Sequence, residues 1–231
     1  MKTCEEWSLE FDLLYNNIAS DKAPGLEEYE KSVFLTRAEQ TIEIALYKGN
    51  FGESFESTEE LTAYLDSLVR QAELTEIGET DIPKISENSY IFKNPDDLLF
   101  RTIELCTVQS ADCGELTASV VPVTQDEYWR TVRDPFKRHN NTRVLRLSTA
   151  KDTGVSGEYE REGYTELISS NPVSKYTVRY LAKAEPIILE DLTDGKSIDG
   201  KTAKATCKMH EALHHSILAE AVRMAKAAWN T

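Results

Sequence analysis

Residues 25–48 read GLEEYEKSVFLTRAEQTIEIALYK, a stretch that predicts one long helix at the centre of the fold. Pro24 interrupts the chain before it, and Gly49 follows its last residue, as is common where helices end. The helix carries two adjacent apolar rows: Phe34, Ala38, Ile42 and Ala45 in the first, and Leu26, Tyr29 and Val33 in the second. We expect both rows to be buried, and two adjacent rows should be covered by more than one partner element.

Two further helices complete an N-terminal helical region, residues 1–71. Residues 4–18 predict the first of them. Its apolar side chains recur at helical spacing: Trp7, Phe11, Leu14 and Ile18. A third helix should begin near Ser57, because Glu60 follows it at the spacing of a capping box.

Residues 72–206 predict a β-rich region. Residues 98–108 are rich in apolar and β-branched side chains, and residues 143–148 alternate between two faces as a half-exposed strand does. Thr124 and Glu127 have the spacing of a capping box, which predicts a short helix near residues 125–132.

Residues 207–231 predict a C-terminal helix whose wide apolar face should pack back on the N-terminal helices. The expected fold class is therefore α+β, with N-terminal helices and a C-terminal helix packed with a β-rich middle region.

The chain is strongly acidic, and the charge is unevenly distributed. Its 231 residues contain 26 Lys+Arg and 40 Asp+Glu, a formal net charge of −14. Residues 1–100 hold 22 acidic and 8 basic side chains, whereas residues 101–231 hold 18 of each. Such a surface repels nucleic acid and anionic membranes. It fits a solvated helical face, a surface past which DNA moves without binding, or a surface that docks on a basic partner.

The sequence also bears on the cellular compartment. No apolar run approaches the roughly 18 residues of a membrane span, and the first residues are not followed by the apolar segment of a signal peptide. We therefore expect a cytoplasmic protein whose cysteines are free thiols. The alternative for one pair of cysteines is a disulfide between Cys106 and Cys113 across a hairpin.

The sharpest chemical motif is H-E-x-x-H at His210, Glu211 and His214. In zinc proteases two such histidines, one helical turn apart, bind the metal and the glutamate activates water. The chain ends soon after His214 and offers no third ligand at the expected spacing. We therefore favour a structural role for the two histidines over a zinc hydrolase.

A basic cluster surrounds the turn at residues 134–136, and phosphate is one possible ligand for it. Acidic side chains dilute the cluster, and we see no aromatic interleaving that would stack on bases. Ion pairing within the chain or with a neighbouring subunit is the preferred interpretation. The cluster comprises Arg130, Arg133, Lys137, Arg138, Arg143 and Arg146.

Two predicted loops are further candidates for partner contacts. One carries Phe51 and Phe55 beside two glycines, and the other is the polar, glycine-bearing stretch 151–163 with Tyr159. No phosphate-binding loop, dinucleotide fingerprint or nucleophile elbow accompanies them. That absence favours a structural protein over an enzyme.

Four stretches together resemble a known family. They are FDLLYNNIAS and APGLEEYEKSVFLTRAEQ within residues 11–40, VVPVTQDEYWRTVRDPFKRHNNTRVLRL at 120–147, SKYTVRYLAKAEPIIL at 174–189 and HHSILAEAVRMAKAAW at 214–229. In this order they resemble a head-to-tail connector, or neck ring protein, of crAss-like short-tailed phages that infect gut Bacteroidales.

The resemblance implies a virion protein, assembled in the host bacterial cytoplasm, that forms a ring in the phage neck or tail. The ring would have twelve copies, contact the portal protein and other ring proteins, and let DNA pass during packaging and ejection without sequence-specific binding. It implies no enzyme activity, no cofactor and no membrane contact. The alternatives are the zinc hydrolase and an assembly factor that is absent from the virion.

Overall fold

The chain forms two compact units, one of which is inserted into the other. The structure is a computed structural model that describes residues 2–16, 25–48, 59–78, 82–111, 114–152 and 161–229. The helical unit consists of Met1–Val69 and Lys183–Thr231, and the strand-rich unit is Arg70–Ala182. Residues 183–206, which we expected in the β-rich region, belong to the helical unit.

The described helices and strands alternate in blocks along the chain. The helices are α1 (Cys4–Asn16), α2 (Glu28–Lys48), α3 (Glu59–Leu65), α4 (Tyr128–Arg133) and α5 (His214–Trp229). The strands are β1 (Val69–Leu74), β2 (Ser89–Lys93), β3 (Leu98–Ser110), β4 (Gly114–Pro122), β5 (Arg143–Asp152), β6 (Arg161–Ile168) and β7 (Val173–Ala182). These elements confirm the predicted α+β class. Within the described ranges, no helix combines the length and apolarity that crossing a membrane requires.

The first and last helices, α1 and α5, bury much of the apolar face that their sequences predict. Trp7 and Phe11 of α1 are fully buried, although Tyr15 rather than Leu14 completes the buried face. Thr3 and Glu6 cap α1 reciprocally, since each backbone N–H donates to the other's side-chain oxygen. The long helix α2 lies against α5, whose buried apolar side chains are Ile217, Leu218, Ala221, Val222 and Ala225.

The prediction for α2 is wrong in its detail. Of the two apolar rows only Ala38 is fully buried, and the other members are partly exposed. The buried face is instead largely polar and consists of Lys31, Ser32, Leu35, Thr36, Ala38, Glu39 and Glu43.

This face of α2 is polar because its side chains accept hydrogen bonds from a buried backbone segment. Backbone N–H groups of the buried extended segment 184–189 need acceptors. Thr36 Oγ1 accepts from Ile187 N at 3.1 Å, Ser32 Oγ accepts from Leu189 N at 3.0 Å, and Glu43 Oε2 accepts from Ala184 N at 3.4 Å. Side chains of α2 therefore take the place of a neighbouring strand.

The strand-rich unit is a curled seven-stranded sheet in the order β1-β7-β3-β4-β5-β6-β2. Only β4 and β5 pair in parallel among the five described strand pairs whose registers are resolved. The chain after β1 returns to the opposite edge, where Ile77 N donates to Ile91 O of β2 at 2.8 Å. This bond and the bridge between Glu76 and Phe92 close the sheet into a barrel-like ring.

The short helix α4 begins later than its capping box predicts. It starts at Tyr128, and the N-cap residue Glu127 makes no capping hydrogen bond through its side chain. The Thr124 hydroxyl bonds the Asp126 carboxylate instead, and this bond is the main cause that lowers the pKa of Asp126. Residues 125–127 therefore form a turn before the helix.

The cysteines are free thiols wherever the structure describes them. Cys4, Cys106 and Cys207 are buried and unpaired with another cysteine. The alternative disulfide between Cys106 and Cys113 is therefore wrong for Cys106, while Cys113 lies outside the described residues.

Candidate assembly surfaces

Helix α4 and the turn after it present a patch of basic and aromatic side chains. The inner face of α4 is anchored by Tyr128, which is buried against Leu145, Leu147 and Ile168 on the outside of the sheet. Because successive helical residues point about 100° apart, Trp129 faces away from this core and is 61% exposed. The basic–aromatic patch consists of Trp129, Arg130, Arg133, Phe136 and Arg138.

Phe136 lies at the tip of a hydrogen-bonded turn and is 87% exposed. Asp134 Oδ1 accepts from the Phe136 N–H at 2.9 Å, and Arg143 Nη1 donates to the Phe136 carbonyl at 2.5 Å. The Asp134 carbonyl accepts from Arg138 N at 3.0 Å. The turn is thus fixed on both sides, and it displays a large apolar ring in solvent.

The cations of the predicted cluster divide into two groups. Arg146 projects into the sheet interior, where its Nε lies 3.1 Å from Glu104 Oε2 and both side chains are largely buried. The Tyr176 hydroxyl also donates to Glu104, and burial raises the pKa of Tyr176. Ion pairing within the chain therefore accounts for Arg146.

The second group remains on the surface. Arg130, Arg133 and Arg138 are exposed, and none of them pairs with an acidic side chain in the described part of the chain. Lys137 lies 4.0 Å from Asp134, at the outer limit of an ion pair. The patch thus combines guanidinium groups that pair with no acidic side chain of the described residues with two exposed aromatic rings, residue types that are enriched at protein interfaces.

The helical unit carries a surface of the opposite charge. A groove runs between α1, the start of α2 and the end of the 184–189 segment. We call it the acidic groove, and it is lined by Cys4, Glu5, Ser8, Leu9, Glu28, Leu189 and Glu190. Leu9 is 69% exposed, and Leu13 is 63% exposed one helical turn further along α1.

The two histidines of the H-E-x-x-H motif have separate surroundings within the helical unit. His210 is exposed, its Nδ1 accepts from Ala212 N at 3.2 Å, and its ring lies 5.5 Å from that of Tyr64. His214 is buried beside Trp7, with ring centroids 5.0 Å apart, and its Nε2 donates to the Met209 carbonyl at 3.2 Å. Burial lowers the pKa of His214.

The spacing of the two histidines differs from that of a helical zinc motif, because residues Glu211–Leu213 form a 3₁₀ turn and α5 begins only at His214. His210 caps this turn, and His214 packs in the core. Across the described ranges, no cluster of three or more His, Cys, Asp or Glu side chains is arranged to hold a metal ion.

Several predicted contact residues lie outside the described residues. These are Phe51 and Phe55 of the first loop, and Tyr159 with most of the stretch 151–163. They stay predictions.

Comparison with known proteins identifies the family. The sequence profile of phage tail ring protein 3/4 matches residues 1–231, the full length of the chain. The chain belongs to this family of tail ring proteins. It is similar to ring protein 3 of Bacteroides phage crAss001, with 38% identity over 96% of this chain and 94% of the relative. It is also similar to ring protein 4/5 of the same phage, with 32% identity over 97% of this chain and 92% of the relative.

The match confirms the resemblance to neck and tail ring proteins of crAss-like phages. The structure of this tail ring protein reveals a feature that the sequence pattern did not indicate, because exposed aromatic side chains lie among the cations: Trp129 adjoins Arg130, and Phe136 adjoins Lys137. Their sequence positions were visible, but their exposure depends on which face of α4 the sheet covers.

Proposed function

We propose that this tail ring protein is a structural component of the virion, forming a homo-oligomeric ring in the neck between the portal protein and the tail. The observation that carries the proposal is the match of the family over the whole chain, together with two nearly full-length relatives that are named ring proteins. The ring assembles in the host bacterial cytoplasm, has twelve copies and stacks against other ring proteins.

The charge of the chain supports a passive channel for DNA. A net charge of −14 disfavours tight binding to phosphate, so DNA would pass during packaging and ejection without sequence-specific contacts. The function is mechanical, and we assign no catalytic step or cofactor to it. The proposal differs from a non-virion assembly factor in one respect, since only a ring component remains in purified particles.

The mass of the assembled protein tests this proposal. We expect native mass spectrometry or mass photometry of the purified chain, alone or with portal protein, to show a ring-sized species near twelve times 26.1 kDa. A chain that stays monomeric in both conditions would exclude a direct portal contact. Mass spectrometry of purified virions should detect the protein, and its absence there would favour the assembly factor.

A zinc measurement tests the remaining alternative. His210 caps a turn and His214 packs beside Trp7, so we expect purified protein to bind no stoichiometric zinc. One zinc per chain that is lost in His214→Ala, with the fold retained, would support the hydrolase.

A further inference from the structure

We propose that the basic–aromatic patch of one copy docks in the acidic groove of the next copy, so that this contact joins neighbouring subunits of the ring. The inference rests on the proposed function, because it requires copies of this chain to assemble. It assigns the partner of each surface: a second copy of the same chain.

Charge complementarity is the first argument for this pairing. Residues 128–138 contain four cationic side chains and one acidic one. The helical unit contains 22 acidic and 12 basic side chains, a net charge of −10. Each cation of the patch that pairs with no acidic side chain of the described residues thus has a carboxylate available on another copy. Opposite potentials of this kind steer association and fix the register of an interface.

The shape and polarity of the groove are the second argument. Its apolar lining comes from Leu9 and Leu189, while Glu5 and Glu190 are exposed at its rim. An aromatic ring flanked by guanidinium groups matches this arrangement, since the ring covers the leucines and the cations meet the carboxylates. Burying Trp129 or Phe136 there would remove from water one of the largest exposed apolar side chains of the described chain.

The asymmetry of the contact is the third argument. The patch and the groove are different surfaces, so the interface is heterologous: each copy offers one surface to its predecessor and the other to its successor. A contact of this kind closes into a ring when the rotation between copies divides a full turn. An isologous contact between two patches would instead place arginines against arginines, which is unfavourable.

Two complementary variants of the full chain test the contact. The patch variant carries Arg130→Glu and Arg133→Glu, and the groove variant carries Glu5→Lys and Glu190→Lys. All four side chains are exposed, so both variants should fold, which circular dichroism checks. Matched controls reverse two exposed charges elsewhere, with Arg37→Glu and Lys48→Glu for the patch and Asp66→Lys and Glu87→Lys for the groove.

We expect each interface variant to raise at least tenfold the protein concentration at which rings form, measured by mass photometry under conditions where wild type assembles. The controls should form rings as wild type does. An equimolar mixture of the two interface variants should form rings again with the variants alternating, because native arginine–glutamate contacts then alternate with charge-exchanged glutamate–lysine contacts. A chain carrying all four substitutions should form rings again, since the charges are exchanged.

Three outcomes would overturn the proposal. If both interface variants formed rings normally, the proposed contact would be excluded and the proposed function would be unaffected. A wild-type chain that forms no ring, alone or with portal protein, would remove both. Retardation of double-stranded DNA by wild type that is lost in the patch variant, with ring formation unchanged, would assign the patch to nucleic acid.

Discussion

Glu39 and Glu43 are acidic side chains buried in the helical unit, one turn apart on α2. The Cys207 thiol donates to Glu39 Oε1 at 3.0 Å, and the other oxygen of Glu39 has no hydrogen-bond partner among the described residues. Burial raises the pKa of Glu39 to about 8 and that of Glu43 to about 7. Both carboxyls are therefore held largely in their neutral form at mildly acidic pH.

The raised pKa values predict a pH dependence of stability. Between the ordinary carboxyl pKa and these values, the folded protein binds more protons than the unfolded chain. The free energy of unfolding therefore falls as pH rises from about 4.5 to about 8, by at most roughly 1.4 kcal/mol per pH unit for each group. We expect Glu39→Gln to flatten this decline and to be more stable than wild type at pH 8, as measured by urea unfolding across the range.

Glu87→Gln is the control for this experiment, because it removes an exposed carboxyl from a turn. Its pH profile should run parallel to that of wild type. If Glu39→Gln also ran parallel, Glu39 would be ionised at no cost in the folded protein.

The polar residues buried on α2 show which kind of burial could not be predicted from the sequence. Apolar spacing predicts burial because it tracks transfer from water, and it succeeds for Trp7 and Phe11. It fails for Thr36 and Glu43, whose burial depends on backbone N–H groups roughly 150 residues away in sequence. A hydrogen bond to a group that is distant in sequence produces no periodic pattern in the sequence around the residue that makes it.

At the scale of the element, two adjacent side chains of α4 have different surroundings. Tyr128 is buried among Leu145, Leu147 and Ile168, whereas Trp129 is exposed. We expect Tyr128→Ala to lower the free energy of unfolding by about 3–5 kcal/mol, the usual cost of removing a buried aromatic ring. Trp129→Ala should lower it by only about 0.5–1.5 kcal/mol, because its exposed ring makes an edge contact with the Tyr128 ring and little else.

Chemical denaturation of both variants measures this difference, with size-exclusion chromatography at a concentration below ring assembly as a check on folding. A large loss of stability in Trp129→Ala would mean that its ring supports the fold of its own chain and is not free for a partner.

The type of most helices and strands could be predicted from the sequence, but the roles of their individual side chains were harder to predict. The first and last helices and most of the strands follow from periodicity and turn residues. In the H-E-x-x-H motif, His210 caps a turn and His214 packs in the core beside Trp7. The basic cluster could not be divided from sequence, because only the pairing of strands places Arg146 inside the sheet and leaves Arg130 outside.

At the scale of the whole molecule, the strand-rich unit has what it needs to fold alone. Its sheet closes on itself through Ile77 and Ile91, and it holds three apolar clusters of its own. We expect a fragment of residues 70–182 to show a β-type circular dichroism spectrum and a cooperative thermal transition. A fragment of residues 70–172 lacks β7, which lies between β1 and β3, and should remain unfolded. An unfolded 70–182 fragment would contradict the independence of this unit.

The chain enters the inserted unit on β1 and leaves it on β7, and these strands are neighbours in the sheet. Insertions whose two ends lie together are tolerated well, because the host chain needs little rearrangement to accept them. Such an arrangement allows gene duplication to be followed by exchange of the insert alone. A lineage with several related ring proteins could in this way give each of them a distinct inserted unit while preserving one inherited helical unit.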